Sequence, residues 1–208
     1  MTHQEIRHER RKQKLEYRRE QRRKWVKNTP SVIEELKKFE AQLKPLNLAI
    51  YDIAGDGNCL FRAIAHQLFG VQQHHARVRQ EIVKHMITNQ DNFAPFLDED
   101  DPWNEYISDM AKLATWGGNL EIQAASMVYK VNITIHQLGE PPWGVYNWPL
   151  DNGILQLSYH DGDHYSSLIG PDGGSNVKKL FEKAEEGGGG SVREEKGEEK
   201  EGKGECQW

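Results

Sequence analysis

The spacing of apolar residues changes midway along the chain. Before about position 130 they recur at helical intervals, and after it they alternate at the two-residue period of strands. Phe61, Ile64, Ala65 and Leu68 predict a helix directly after Gly55-Asp56-Gly57-Asn58, four residues suited to a tight turn. Upstream, Val32, Leu36, Phe39 and Leu43 predict another, with Ser31 and Glu34 at the spacing of a capping box. Residues 48–53 form a short extended segment between them. Further helices are expected through Val78, Ile82 and Met86, through Tyr106, Met110 and Leu113 after Asp101-Pro102, and over 120–129 with Asn119 as cap. Then Val131, Ile133 and Ile135 alternate with Asn132, Thr134 and His136 in a strand spanning 131–138, and 154–159 and 164–169 give two more. Pro141, Pro142 and Pro149 mark 141–149 as an irregular loop. The fold class this implies is α+β or α/β: a small central β-sheet flanked by helices.

Length and charge divide the chain further. Its 208 residues suffice for one domain with tails, and 37% hydrophobic with 28% charged residues suits a soluble domain with polar extensions. We divide it into a basic arm (1–30), a domain (31–181, core 46–169) and a tail (182–208). The first 27 residues hold eleven Lys/Arg against four Glu with no Gly or Pro, the pattern of an exposed basic helix. Such a surface suits RNA or a ribosome; the simpler reading is a solvated arm. The Gly/Glu/Lys-rich tail has too few apolar residues to offset ordering and is expected to be disordered. No apolar run approaches the ~20 residues of a membrane span, and none follows Met1 as a secretion signal would, so no membrane role is expected. The two cysteines, Cys59 and Cys206, make no disulfide framework, which suits the reducing cytoplasm, with the nucleus a further possibility.

Cys59 is the candidate for chemistry. It falls at the first turn of its helix, where unpaired N–H groups and the dipole favour a thiolate. The competing reading is a buried small hydrophobe. A thiolate nucleophile needs a histidine base, and the chain has nine. His164, at a strand start beside a turn, is the best placed. His136 is mid-strand and equally a core or surface residue. His66 is two turns from Cys59 along the helix, too far to reach the sulfur. The adjacent His74 and His75 point to different helix faces and read as solvated surface. His160, Asp161, Asp163 and His164 surround a glycine turn without a recognisable metal pattern, so no metal or cofactor is expected.

Three segments carry a family resemblance. Asp56-Gly57-Asn58-Cys59-Leu60-Phe61-Arg62-Ala63 resembles the cysteine box of the ovarian tumour (OTU) family of deubiquitinating cysteine proteases. Trp116-Gly117-Gly118-Asn119-Leu120-Glu121 resembles its internal W-G-G-x-x-E stretch, and His164-Tyr165-Ser166-Ser167-Leu168 its histidine box, in the same order. The resemblance covers about 46–169. It implies an OTU-like fold that hydrolyses the isopeptide bond at the C-terminal glycine of ubiquitin, with ubiquitin chains and ubiquitinated proteins as partners. In that reading Cys59 is nucleophile and His164 general base and acid, while Asp56 shapes the oxyanion loop or supports the histidine. Gly57, Asn58, Trp116, Gly117 and Gly118 line or support a slot for the Gly-Gly tail. Trp116 and its two glycines serve equally well as a helix start. Most members carry Asn or Asp two residues after the histidine; this chain has Ser166, a shorter, uncharged candidate for orienting the imidazole. That departure leaves a non-catalytic ubiquitin-binding module as the alternative function.

Overall fold

The computed structural model describes residues 30–98, 101–160 and 164–171. The basic arm up to residue 29, the end of the expected domain after 171, and the Gly/Glu/Lys-rich tail with Cys206 lie outside the described residues.

The first helix among the described residues, α1 (Pro30–Leu43), spans the position of Ser31. Phe39 and Leu43 are its inward residues; they meet Leu168, with Leu48 and Ile50 alongside, in a small cluster of their own. A left-handed Asn47 turns the chain into strand β1 (Ala49–Tyr51). Helix α2 (Cys59–Phe69) follows the expected turn and stops at Gly70, whose positive φ lets its N–H close on the His66 carbonyl. Helices α3 (His75–Thr88), α4 (Gln90–Phe93), α5 (Trp103–Met110) and α6 (Asn119–Tyr129) complete the helical half.

The second half gives β2 (Asn132–Gln137), β3 (Trp143–Val145), β4 (Ile154–His160) and β5 (His164–Ile169). Together with β1 they form one five-stranded sheet of order β1-β5-β4-β2-β3. Only β2 and β4 run parallel; the other pairs are antiparallel. One expectation needs correction. The 141–149 loop contains β3, which the prolines hide because they flank the strand without interrupting it. Gly144 permits the pairing, since a Cβ there would overlap the Ile133 carbonyl. In β2 the polar residues are buried as well as the apolar ones, because the strand is interior and covered on both faces.

Period-two geometry sorts β5. His164, Ser166 and Leu168 share one face, where Leu168 meets α1; Tyr165 and Ser167 occupy the other. Ser167 Oγ lies 2.8 Å from His66 Nδ1 and accepts from Gln67 Nε2 at 2.7 Å, so α2 lies along the second face. The main core lies between α2, α3, α6 and the sheet, around Phe61, Ile64, Ile82, Ile122, Ile133 and Leu157.

Candidate active site

Residues 52–58 leave β1 and pass the start of β5 before entering α2. That path brings Gly55 against His164: a Cβ built on Gly55 would sit 3.8 Å from both Cε1 and Nδ1 of the imidazole. Four residues later Cys59 opens α2, buried, with Asn58 at the N-cap. One short loop therefore links the two residues singled out for chemistry.

Gly57 is the tight point of that loop. Its φ of 84° lies in the left-handed region, and a Cβ would come within 2.9 Å of the Ala114 carbonyl carbon and closer still to its oxygen. Ala114 is itself left-handed, at φ 64°. Its N–H donates to Asn58 Oδ1 at 2.8 Å. The Asn58 side chain does not cap α2. It faces inward and accepts from Ala114 and from Arg79 Nη2, at 2.9 Å for the latter. Of the expected choice between lining and supporting the slot, the amide oxygen of Asn58 fits the support: it is committed to the interior.

Asp56 is also committed. Arg62 grips it from one turn into α2, with Nη2 2.6 Å from Oδ2 and Nε 3.1 Å from each carboxylate oxygen, while Oδ1 accepts the Asn58 N–H at 3.0 Å. Burial pushes this carboxyl up, but the hydrogen bonds from Arg62 and Asn58 outweigh it and hold it well below the usual carboxylate range. Of its two expected roles, the geometry supports loop-shaping: both oxygens are occupied by Arg62 and the turn.

Trp116-Gly117-Gly118 enters α6 behind α2. A Cβ on Gly117 would lie 2.8 Å from Leu60 Cδ2 and 3.0 Å from Phe61 Cζ, so this glycine permits close packing on the cysteine helix. The Gly118 N–H donates to Glu121 Oε2 at 2.7 Å, and Tyr106 Oη donates to Glu121 Oε1 at 2.6 Å. Glu121 is fully buried. Burial pushes its carboxyl up against the pull of those two donors. The second glycine and the glutamate of the stretch thus form a helix start; a Cβ on Gly118 would meet nothing within 4 Å. Trp116 is half-buried.

The remaining histidines are placed as follows. His136 is buried and pairs with Gln156 at 2.7 Å, a satisfied core residue. His66 stacks on Tyr51 at 3.8 Å and serves the α2–β5 contact. His74 is exposed and edge-on to Phe69. His75 is not the solvated residue the sequence suggested: it is half-buried, and burial, followed by the charge of Arg62, lowers its affinity for a proton.

His160 is the surprise of this group. It sits directly across the ladder from His164, with ring centroids 6.1 Å apart. Its Nε2 is 2.9 Å from Ser158 Oγ, and Phe39 packs edge-on against it. Ser158 in turn lies opposite Ser166. Burial, then the neighbouring charge of His164, pushes His160 down to about 4. A neutral buried histidine stabilises the fold fully above its unfolded value near 6.5, and this contribution is lost as pH falls towards 4. Urea titrations should therefore show wild type losing on the order of 2 kcal/mol between pH 7 and pH 5 through this residue, and His160→Gln should flatten that part of the slope. Parallel pH profiles for the two chains would rule it out.

A cysteine at a helix N-terminus, with a histidine at the head of a strand held against the same loop, is the arrangement of a thiol hydrolase. The chain belongs to the OTU-like cysteine protease family, whose profile matches residues 54–165. The Arabidopsis thaliana protein named OVARIAN TUMOR DOMAIN-containing deubiquitinating enzyme 7 is 43% identical over 135 residues, covering 64% of this chain and 36% of that protein. OTU domain-containing protein 3 of Mus musculus is 38% identical over 138 residues, 65% of this chain and 34% of that one. The chain thus matches about a third of the length of these relatives. Among solved structures, that of the OTUD1 OTU domain is similar with a TM-score of 0.60 and 26% identity, over 65% of this chain and 94% of that domain.

Arg79 is the residue that sequence reasoning missed. It lies on α3 among the core residues Val78, Ile82 and Met86 and is itself fully buried. One signal was available: it follows Val78 directly, at the edge of the helix's apolar face.

Proposed function

We propose that this chain is a deubiquitinase that hydrolyses isopeptide bonds at the C-terminal glycine of ubiquitin through a thioester on Cys59. The observation that carries the reading is the approach of His164 to the Gly55 loop that leads into Cys59, within a fold of the OTU-like cysteine proteases. A relative being named a deubiquitinating enzyme supports the substrate class.

His164 takes the proton of the Cys59 thiol, and the sulfur attacks the glycine carbonyl carbon. As the carbon–nitrogen bond breaks, the same imidazole returns the proton to the departing lysine amine. Water, deprotonated by His164, then cleaves the thioester, leaving a carboxylate and restoring the thiol. The oxyanion needs N–H donors beside the sulfur. Asn58 spends its N–H on Asp56, and Asp56 donates to the Ala54 carbonyl. We therefore assign the oxyanion to Gly57 and to the start of α2, where the first N–H groups of a helix have no intrahelical acceptor. The RNA or ribosome reading rested on the basic arm, outside the described residues, and the comparisons give it no support.

The test is a ubiquitin carrying a C-terminal electrophile. Wild type should gain one ubiquitin mass and Cys59→Ala none. Absence of an adduct on folded wild type, or its survival in Cys59→Ala, would overturn the proposal. Tight ubiquitin binding without cleavage of chains would instead establish the non-catalytic module.

A further inference from the structure

We propose that Arg79 is a positioning residue for the thiol chemistry: its guanidinium holds the Gly57–Asn58 turn against the 110–115 loop, and its charge behind that turn favours the Cys59 thiolate. The inference rests on reading Cys59 as the nucleophile.

The geometry is unusually concentrated. Nη1 donates to the Met110 carbonyl at 3.0 Å. Nη2 donates to the Thr115 carbonyl at 2.7 Å, to Asn58 Oδ1 at 2.9 Å and, at a longer 3.5 Å, to the Gly57 carbonyl. The face of the guanidinium lies over Phe61, 3.8 Å from the ring centroid. Two of these acceptors immediately precede Cys59, Phe61 lies two residues after it, and the rest belong to the loop leading to Trp116. A planar fork reaching three separate segments at once is a task for arginine and not for lysine.

Every oxygen Arg79 touches is neutral. Among the described residues no carboxylate stands within ion-pairing distance of it, whereas Arg62 has Asp56. Burying a guanidinium without a contacting carboxylate is costly, and here the offset comes from neutral acceptors and from the more distant Glu121, Asp56 and Cys59. The titratable groups on the elements packed around the turn are His164 and Tyr165 from β5, Arg79 and His75 from α3, Glu121 from α6, and Asp56 and Arg62 from the turn and α2; of these Arg79 and Tyr165 interact with Cys59. Asp56 is neutralised by Arg62, burial favours the proton on Glu121, and burial favours neutral His75 and Tyr165. Arg79 is thus a positive charge fixed behind the turn that leads into Cys59, held there by the Gly57 and Asn58 oxygens. Burial pulls its own value down to about 10, with Glu121, Asp56 and Cys59 opposing, so it stays protonated at neutral pH.

The experiment uses the full chain and separates the charge from the fork. Iodoacetamide alkylation of Cys59, followed by mass spectrometry of its own peptide so that Cys206 does not interfere, reports thiolate against pH without any ubiquitin substrate. Arg79→Met should move the alkylation midpoint up by about one pH unit. Arg79→Lys should keep the midpoint near wild type. It should lower kcat on a fluorogenic ubiquitin amide about tenfold with little change in KM, because the turn loses its three-way anchor. Asn58→Ala, which removes one acceptor and leaves the charge, should resemble Arg79→Lys. Should Arg79→Met fail to fold by circular dichroism, the lysine and Asn58 variants still decide. Unchanged kcat in both overturns the positioning role, and an unshifted midpoint in folded Arg79→Met overturns the charge effect. If wild type cleaves no ubiquitin substrate the proposed function fails, while the alkylation profiles still test the effect of Arg79 on Cys59.

Discussion

A chain with alanine at position 57 should be less stable than wild type by about 2–4 kcal/mol and should lose activity even where it remains folded. Two independent costs combine. The φ of 84° is a conformation that a Cβ disfavours by roughly 1–2 kcal/mol. The added methyl would also overlap the Ala114 carbonyl, a backbone atom that cannot rotate away. Relief requires moving either the 56–59 turn, which carries the assigned oxyanion donors, or the 110–115 loop, which Asn58 and Arg79 hold. Gly118→Ala is the matched control, since its added carbon would meet nothing within 4 Å, and it should stay within about 1 kcal/mol of wild type. Urea midpoints and probe labelling on the three chains check both parts. Equal stability of the two variants would show that the turn yields more easily than its contacts indicate.

The second large effect concerns the histidine box. His164→Ala should reduce ubiquitin cleavage by about a thousandfold or more, since it removes both the acceptor of the thiol proton and the donor to the leaving amine. Ser166→Ala should cost about tenfold or less. Ser166 shares His164's face of β5, but its partner across the ladder is Ser158, whose hydroxyl is paired with His160. Truncating a neutral hydroxyl there removes at most one modest hydrogen bond. Single-turnover cleavage by wild type and both variants gives the comparison. A Ser166→Ala defect as deep as that of His164→Ala would make this serine the orienting group.

The helix through Phe61, Ile64 and Leu68 was legible because it repeats an apolar period over several residues, and the strand headed by His164 because a polar glycine turn sets it off from the strand before it. The positions of Cys59 and His164 were legible because each stands at the boundary of such an element. What the sequence concealed was pairing. Arg79 has the composition of a surface residue, and only the packing of α3 against the 57–58 turn and the 110–115 loop turns it inward. Asn58 has the residue type of a helix cap, yet a partner 21 positions away takes its oxygen. His160 borders a polar turn, and its burial depends on Phe39, more than a hundred residues earlier. Strand β3 is three residues long and framed by prolines, too short for any period to show.

The order of strands in the sheet has a consequence for biosynthesis. Strand β1, which leads into the cysteine loop, pairs with β5, Ala49 opposite Ile169. Translation releases Cys59 more than a hundred residues before His164, so the nascent chain carries the proposed nucleophile long before the proposed base or the strand that pairs with β1. A contact of such sequence separation forms late. In the proposed mechanism the thiol and its base therefore meet only when β5 docks, and a ribosome-bound fragment ending before β5 would expose the thiol without the histidine.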